Sequence, residues 1–151
     1  MQLVTKRLGV LEVEDNQILT FPEGLLGFYD YKRFVVVQLE KGNDVIRWLQ
    51  SIDDPSLGFL ILDPRAVFPD YDPEFSAEDL DSLDIKTPDD LVMVCVVTVP
   101  RNVRKMTANL QAPLLINPEK RLGKQVITIS PEYSTKHEIF PALENLLKRT
   151  G

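Results

Sequence analysis

The sequence predicts a mainly β, single-domain fold: an antiparallel β-barrel-like sheet with one or two short helices. Three observations predict it. Short β-branched segments recur along the chain, turn residues separate them, and helical signals are few. The 11 prolines fall mostly between the segments, as a loop-rich sheet requires.

Residues 8–13 (LGVLEV) and 17–21 (QILTF) flank Glu14-Asp15-Asn16, which reads as a tight hairpin turn. Residues 33–39 (RFVVVQL) lead through the turn chemistry of Lys41-Gly42-Asn43-Asp44 into residues 46–51 (IRWLQS). Residues 58–62 (GFLIL) form a compact apolar strand, and residues 91–99 read as a central strand, rich in valine and apolar on both faces. Later strands are expected at 107–110, 114–117 and 125–130. Ser76 is placed to cap a short helix in which Leu80 and Leu83 share a face. Pro141 suits the first position of a C-terminal helix, with Leu143, Leu146 and Leu147 on one face and Lys148 and Arg149 near its negative end. Residues 63–90 look like an irregular excursion from the barrel rather than a second domain, and no internal repeat or low-complexity linker interrupts residues 1–151.

A chain of 151 residues and 17.2 kDa is expected to expose roughly 7,800 Å² as a folded monomer and to support a core without disulfides or metals. Its start, MQLVTKRLGV, lacks the apolar region of a signal peptide, and its longest apolar run is far short of the roughly 20 residues that span a membrane. A cytoplasmic protein without a membrane partner is therefore expected, and the single Cys95 agrees with a reducing compartment. A net charge of −6 opposes a dedicated nucleic-acid binder, because polyanions are repelled. The charge is uneven: residues 53–90 hold 12 acids and 2 bases, whereas residues 101–124 hold 6 bases and 1 acid. Such polarity is able to steer a charged partner.

No catalytic constellation is found. His137 has Ser134 near it in sequence but no GxSxG elbow, and Cys95 sits in LVMVCVVTV as a small core hydrophobe. Neither CxxC nor HExxH occurs, so no metal site is expected. Asp70-Tyr71-Asp72-Pro73-Glu74 alternates acids as calcium loops do. Counting Asp70 as one, however, Phe75 and Asp81 stand where an EF-hand needs Gly and Glu. Gly24-Leu25-Leu26-Gly27 is not GxGxxG and reads as a turn, so no cofactor is expected. Trp48, Phe21, Phe28 and Phe59 are expected in the core, and Asn109 and Asn117, close to prolines, are expected to end strands. The alternatives are an acidic β-barrel binding nucleic acid through Arg101, Arg104 and Lys105, or a calcium module or carboxylate enzyme built on Asp70, Asp72 and Glu74.

Several phrases carry a resemblance. Residues 21–28 (FPEGLLGF), 48–55 (WLQSIDDP), 59–64 (FLILDP), Pro69-Asp70-Tyr71, 107–114 (TANLQAPL), Ile116-Asn117 and Gly123-Lys124-Gln125 are together similar, in order, to those of the FliW family. The resemblance covers nearly the whole chain. It implies a binding protein with two clients, flagellin and the RNA-binding translational repressor CsrA, acting as a stoichiometric partner switch without catalysis. CsrA must present positive charge to grip RNA. Asp53, Asp54, Asp70, Asp72 and Glu74 are therefore expected to supply a complementary acidic field, with Tyr71 as an aromatic anchor among them. Nothing in the chain demands a dimer, and a monomer is expected.

Overall fold

The computed structural model describes residues 1–150, the side chains of the last two excepted. Its strands are β1 (Gln2–Thr5), β2 (Gly9–Glu12), β3 (Leu19–Thr20), β4 (Arg33–Gln38), β5 (Ile46–Ser51), β6 (Gly58–Leu62), β7 (Val92–Thr98), β8 (Thr107–Ala108), β9 (Leu114–Asn117), β10 (Leu122–Gln125) and β11 (His137–Glu138). Three helices accompany them: α1 (Pro64–Val67), α2 (Ala77–Ser82) and α3 (Phe140–Thr150).

The fold is mainly β, as predicted, and seven of the strands close a barrel in the order β3-β4-β5-β6-β7-β9-β10. Each join is antiparallel except the last, where Leu122 of β10 pairs parallel with Thr20 of β3. Parity requires this: an odd number of alternating strands cannot close into a ring without one parallel join. β7 serves two neighbours along one edge. Its first half pairs with β9 and its second half with β8. The register slips between the two, and there the Asn109 carboxamide oxygen accepts from the Ala112 N–H.

Alternation along the strands sorts the apolar side chains into layers. Ile61 of β6, Val94 of β7 and Leu114 and Ile116 of β9 join Phe21, Phe34 and Leu49 in the barrel interior. Their neighbours Leu62, Cys95 and Leu115 point the other way, into a second layer under α1, α2 and α3 with Tyr71, Leu83 and Ile139. This second covering is why β7 is apolar on both faces. A third, smaller cluster lies where Leu3 and Val13 of the N-terminal hairpin cover Val35 and Ile52. The accessible surface is 9067 Å², above the expected area.

Local chemistry explains most elements. Gly42 takes a positive φ in the β4–β5 turn, where Asn43 accepts from the N–H groups of Val45 and Ile46. The Ser76 hydroxyl caps α2 by accepting from the Asp79 N–H, as expected. Gly123 lies against the ring of Phe21: a Cβ there would come within 2.4 Å of it, so only glycine lets β10 close over this side chain.

Four expectations are corrected. β2 pairs with β1 rather than with residues 17–21, and Asp15–Gln17 form a 3-10 turn. Leu19 and Thr20 are taken by β4 and β10 to close the ring, a long-range demand no local turn signals. The last barrel strand is Leu122–Gln125, not 125–130; beyond it the backbone N–H groups of Val126 and Thr128 donate singly to the carbonyls of Pro113 and Gln111. In α3 Leu143 is buried and Leu146 half-buried, but Leu147 is 50% exposed, and the side chain of Arg149 lies outside the described residues. Helix α1 was not expected, although Asp63-Pro64 signals it: the Asp63 carboxylate accepts from the N–H groups of Arg65 and Ala66, and proline fills the first turn.

Candidate partner-binding site

The six residues expected to meet a partner do not share one surface. Asp53 and Asp54 lie in the β5–β6 turn, while Asp70, Asp72 and Glu74 follow the opposite end of that hairpin. The ladder from Gln50↔Gly58 to Ile46↔Leu62 separates the two groups, a span of about 14 Å at ~3.4 Å per residue.

Asp53 is structural. Its carboxylate accepts from the backbone N–H groups of Lys32 and Arg33 and pairs with the Arg33 guanidinium at 2.9 Å. Burial alone would raise its pKa, but these donors outweigh it and hold the carboxyl below its ordinary value. Asp54 turns its carboxylate onto the Ser56 hydroxyl and N–H, which lower its pKa as well.

Tyr71 is a correction. It is 3% exposed, its hydroxyl donates to the Leu110 carbonyl at 2.6 Å, and its ring meets Tyr133 edge-on. Burial raises its phenol far above the ordinary value. Tyr71 thus holds the excursion down instead of presenting an aromatic anchor. Around it the backbone is pinned at every second residue. The Asp72 N–H donates to the Tyr133 hydroxyl and the Glu74 N–H to Ser130, while the Glu74 carbonyl accepts from Ile129 and Thr128.

Further along, Lys124 bridges Asp79 at 2.7 Å and Glu23 at 3.2 Å, and the buried Asn117 donates to the carbonyls of Leu83 and Asp84. The basic stretch is therefore divided. Lys120 and Lys124 neutralise acids of the excursion, whereas Arg101, Arg104 and Lys105 stay exposed elsewhere.

What this pinned backbone offers solvent is charge. Asp70, Asp72, Glu74, Glu78, Asp81 and Asp89 are all exposed, and of these only Asp72 has an ion-pair partner among the described residues, Arg65 at 3.6 Å. No group of three or more His, Cys, Asp or Glu among those residues is placed to hold a metal ion. Beneath the acidic rim a cavity of about 680 Å³ is lined by Phe75, Leu80, Ile85 and Met93, with Arg47 and Lys86 among the polar groups.

At the other end of the sheet a groove of about 710 Å³ opens between the 25–28 turn, the start of β6 and the end of β7. Phe28 and Phe59 meet edge to face there at 5.1 Å, and Leu26, Phe28 and Tyr29 are 43%, 36% and 59% exposed. Phe28, expected in the core, is at the surface instead. Gly24 makes the turn possible: it holds a φ of +67°, and a Cβ on it would strike the backbone of Phe28 and Tyr29 at 2.7 Å. The Gln125 carboxamide ties the Leu26 N–H across to β10.

A family model described as FliW protein matches residues 2–139. The chain belongs to the FliW family. It is 39% identical to the flagellar assembly factor FliW of Natranaerobius thermophilus over 93% of each chain, and 37% identical to that of Alkaliphilus metalliredigens over 100% of this chain and 93% of the relative. Its fold matches a crystal structure of the flagellar assembly factor FliW with a TM-score of 0.86 at 39% identity, covering 93% of this chain and 98% of that one. Four of the FliW phrases meet at the groove, supplying Phe28, Phe59, Asn109 and Gln125. Sequence reasoning missed this surface. Its signal was an apolar run, Leu25-Leu26, held between two glycines and followed by Phe28-Tyr29, in a turn that solvent should have made polar.

Proposed function

We propose that this FliW-family protein is a flagellar assembly factor that acts in the cytoplasm, as a monomer, by stoichiometric binding. Its clients are flagellin and the translational repressor CsrA, and it relieves repression of flagellin synthesis when flagellin has left it. The observation that carries the reading is the pinned excursion. Its backbone is bonded inward while Asp70, Asp72, Glu74, Glu78 and Asp81 face solvent, a fixed negative field suited to a basic, RNA-gripping protein. Such a field speeds encounter without needing to reorganise. A typical interface takes about 800 Å² per partner, so a surface of 9067 Å² has room for two.

Isothermal titration with CsrA, repeated after saturation with flagellin, tests the proposal. Binding of CsrA that disappears once flagellin is bound is the expected result. Binding that persists would remove the switch, and binding of neither protein would remove the function.

A further inference from the structure

The groove at the start of β6 and the end of β7 has a composition unlike the rest of this acidic protein. Its apolar floor, from Leu25, Phe28, Phe59 and Val96, is flanked by Lys105 and Lys136, and no carboxylate lines it. Both lysines are exposed, and neither ammonium has a hydrogen-bond or ion-pair partner among the described residues. In a chain of net charge −6, two unpaired cations beside exposed aromatic surface favour an anionic, apolar occupant.

The backbone around the groove narrows the class further. β7 pairs with β6 through Val96 and Val97 on one edge and with β8 through Val97 and Thr98 on the other, while β8 pairs outward with β11. β6, β7 and β8 each have a partner on both sides and β11 leaves an outer edge only two residues long, so an extended peptide gains little ladder there. A helix satisfies its own backbone and binds through side chains alone. The volume, about 710 Å³, lies in the range of sites that receive several apolar side chains.

We propose that this groove docks an amphipathic helix of a protein partner, its apolar face on Phe28 and Phe59 and its flanking carboxylates on Lys105 and Lys136. The proposal rests on the two-client reading only for the identity of the protein that brings the helix: of the two clients, the one not held by the acidic excursion, which is flagellin.

Two titrations of the isotopically labelled protein test it by amide NMR. The first uses a synthetic amphipathic peptide of about 16 residues, long enough to form helix, with Leu on one face and Glu at its flanks. A matched peptide with Lys at the flanks is the control. The Glu peptide is expected to shift the amides of Leu26, Phe28, Lys105, Thr107 and Lys136, and the Lys peptide to leave them in place. In K105E/K136E, two exposed changes outside the core, the preference should reverse by roughly tenfold. A Glu peptide that perturbs other residues, or binds the double variant equally well, overturns the groove.

The second titration uses flagellin. Loss of roughly tenfold in flagellin affinity in K105E/K136E, with CsrA affinity kept, supports the assignment. Flagellin binding that is unchanged in the variant overturns the groove while leaving the proposed function standing. A wild-type protein that ignores flagellin but takes the Glu peptide at the groove supports the docking surface and defeats the function.

Discussion

Tyr71 sits between Asp70 and Asp72 in the most acidic part of the chain, and composition alone makes it a surface aromatic. Its burial follows from one bond: the hydroxyl reaches the carbonyl of Leu110, itself 2% exposed. Tyr71→Phe leaves that acceptor without its partner and is expected to lower stability by about 1–2 kcal/mol, read as a shift in the urea midpoint, with CsrA affinity unchanged in the folded variant. A loss of CsrA affinity in folded Tyr71→Phe would restore the residue as a contact. At Gly123 the constraint is steric, because an added Cβ lands 2.4 Å from the fully buried Phe21 ring. Gly123→Ala is expected to cost about 1–3 kcal/mol, and a calorimetric melting temperature equal to that of the wild type would show that the ring has room to move. Cys95 is equally fixed: burial pushes its thiol up to about 12, so it stays protonated and unreactive at neutral pH.

The excursion is fastened as an element, and its main electrostatic clasp is Lys124 with Asp79. The ion pair and hydrogen bond to Lys124 hold the Asp79 carboxyl below its ordinary value, and the same contact, helped by Glu23, raises the lysine. Both side chains are about three-quarters buried, at 25% and 23% exposure, so a coupling of about 1 kcal/mol is expected. The signs define the window. The stability from Asp79 is present above its unfolded pKa and is lost as pH falls through the lower folded value. The stability from Lys124 is present below the unfolded lysine pKa and is lost as pH rises through the raised one. Lys124→Met should therefore melt below the wild type at neutral pH, and the gap should close below about pH 4. A gap that is constant with pH would mean that packing, not charge, is what the lysine provides.

For the whole molecule the relevant quantity is the placement of two unlike surfaces at the two ends of β7, acidic around the excursion and basic-rimmed at the groove. Reversing Asp70 and Asp72 to Lys leaves the buried bonds of the excursion untouched, because only their backbone groups and an exposed ion pair to Arg65 are involved. D70K/D72K is expected to weaken CsrA about tenfold or more at low ionic strength, chiefly through slower association, and to flatten the dependence on salt. Equal affinity and an equal salt slope for variant and wild type would exclude this face as the CsrA site.

By itself the sequence determined the fold class and the strands whose signals are local. β5, β6 and β9 lie within the expected bounds, and Ser76 caps α2, because alternation, turn residues and caps act over a few positions. The family was legible too, in phrases spread over most of the chain. Tertiary structure decided how the ring closes, which made Leu19–Thr20 and Leu122–Gln125 strands and left residues 126–130 outside. It also decided which aromatics face solvent: Tyr71 went in and Phe28 came out, a choice fixed by a hydrogen bond 39 residues away and by a glycine turn packed against the barrel mouth. The acidic residues were counted correctly from the sequence, but a hairpin divides them. Charge adds along a chain, whereas a binding surface depends on which ends of the strands the chain happens to visit.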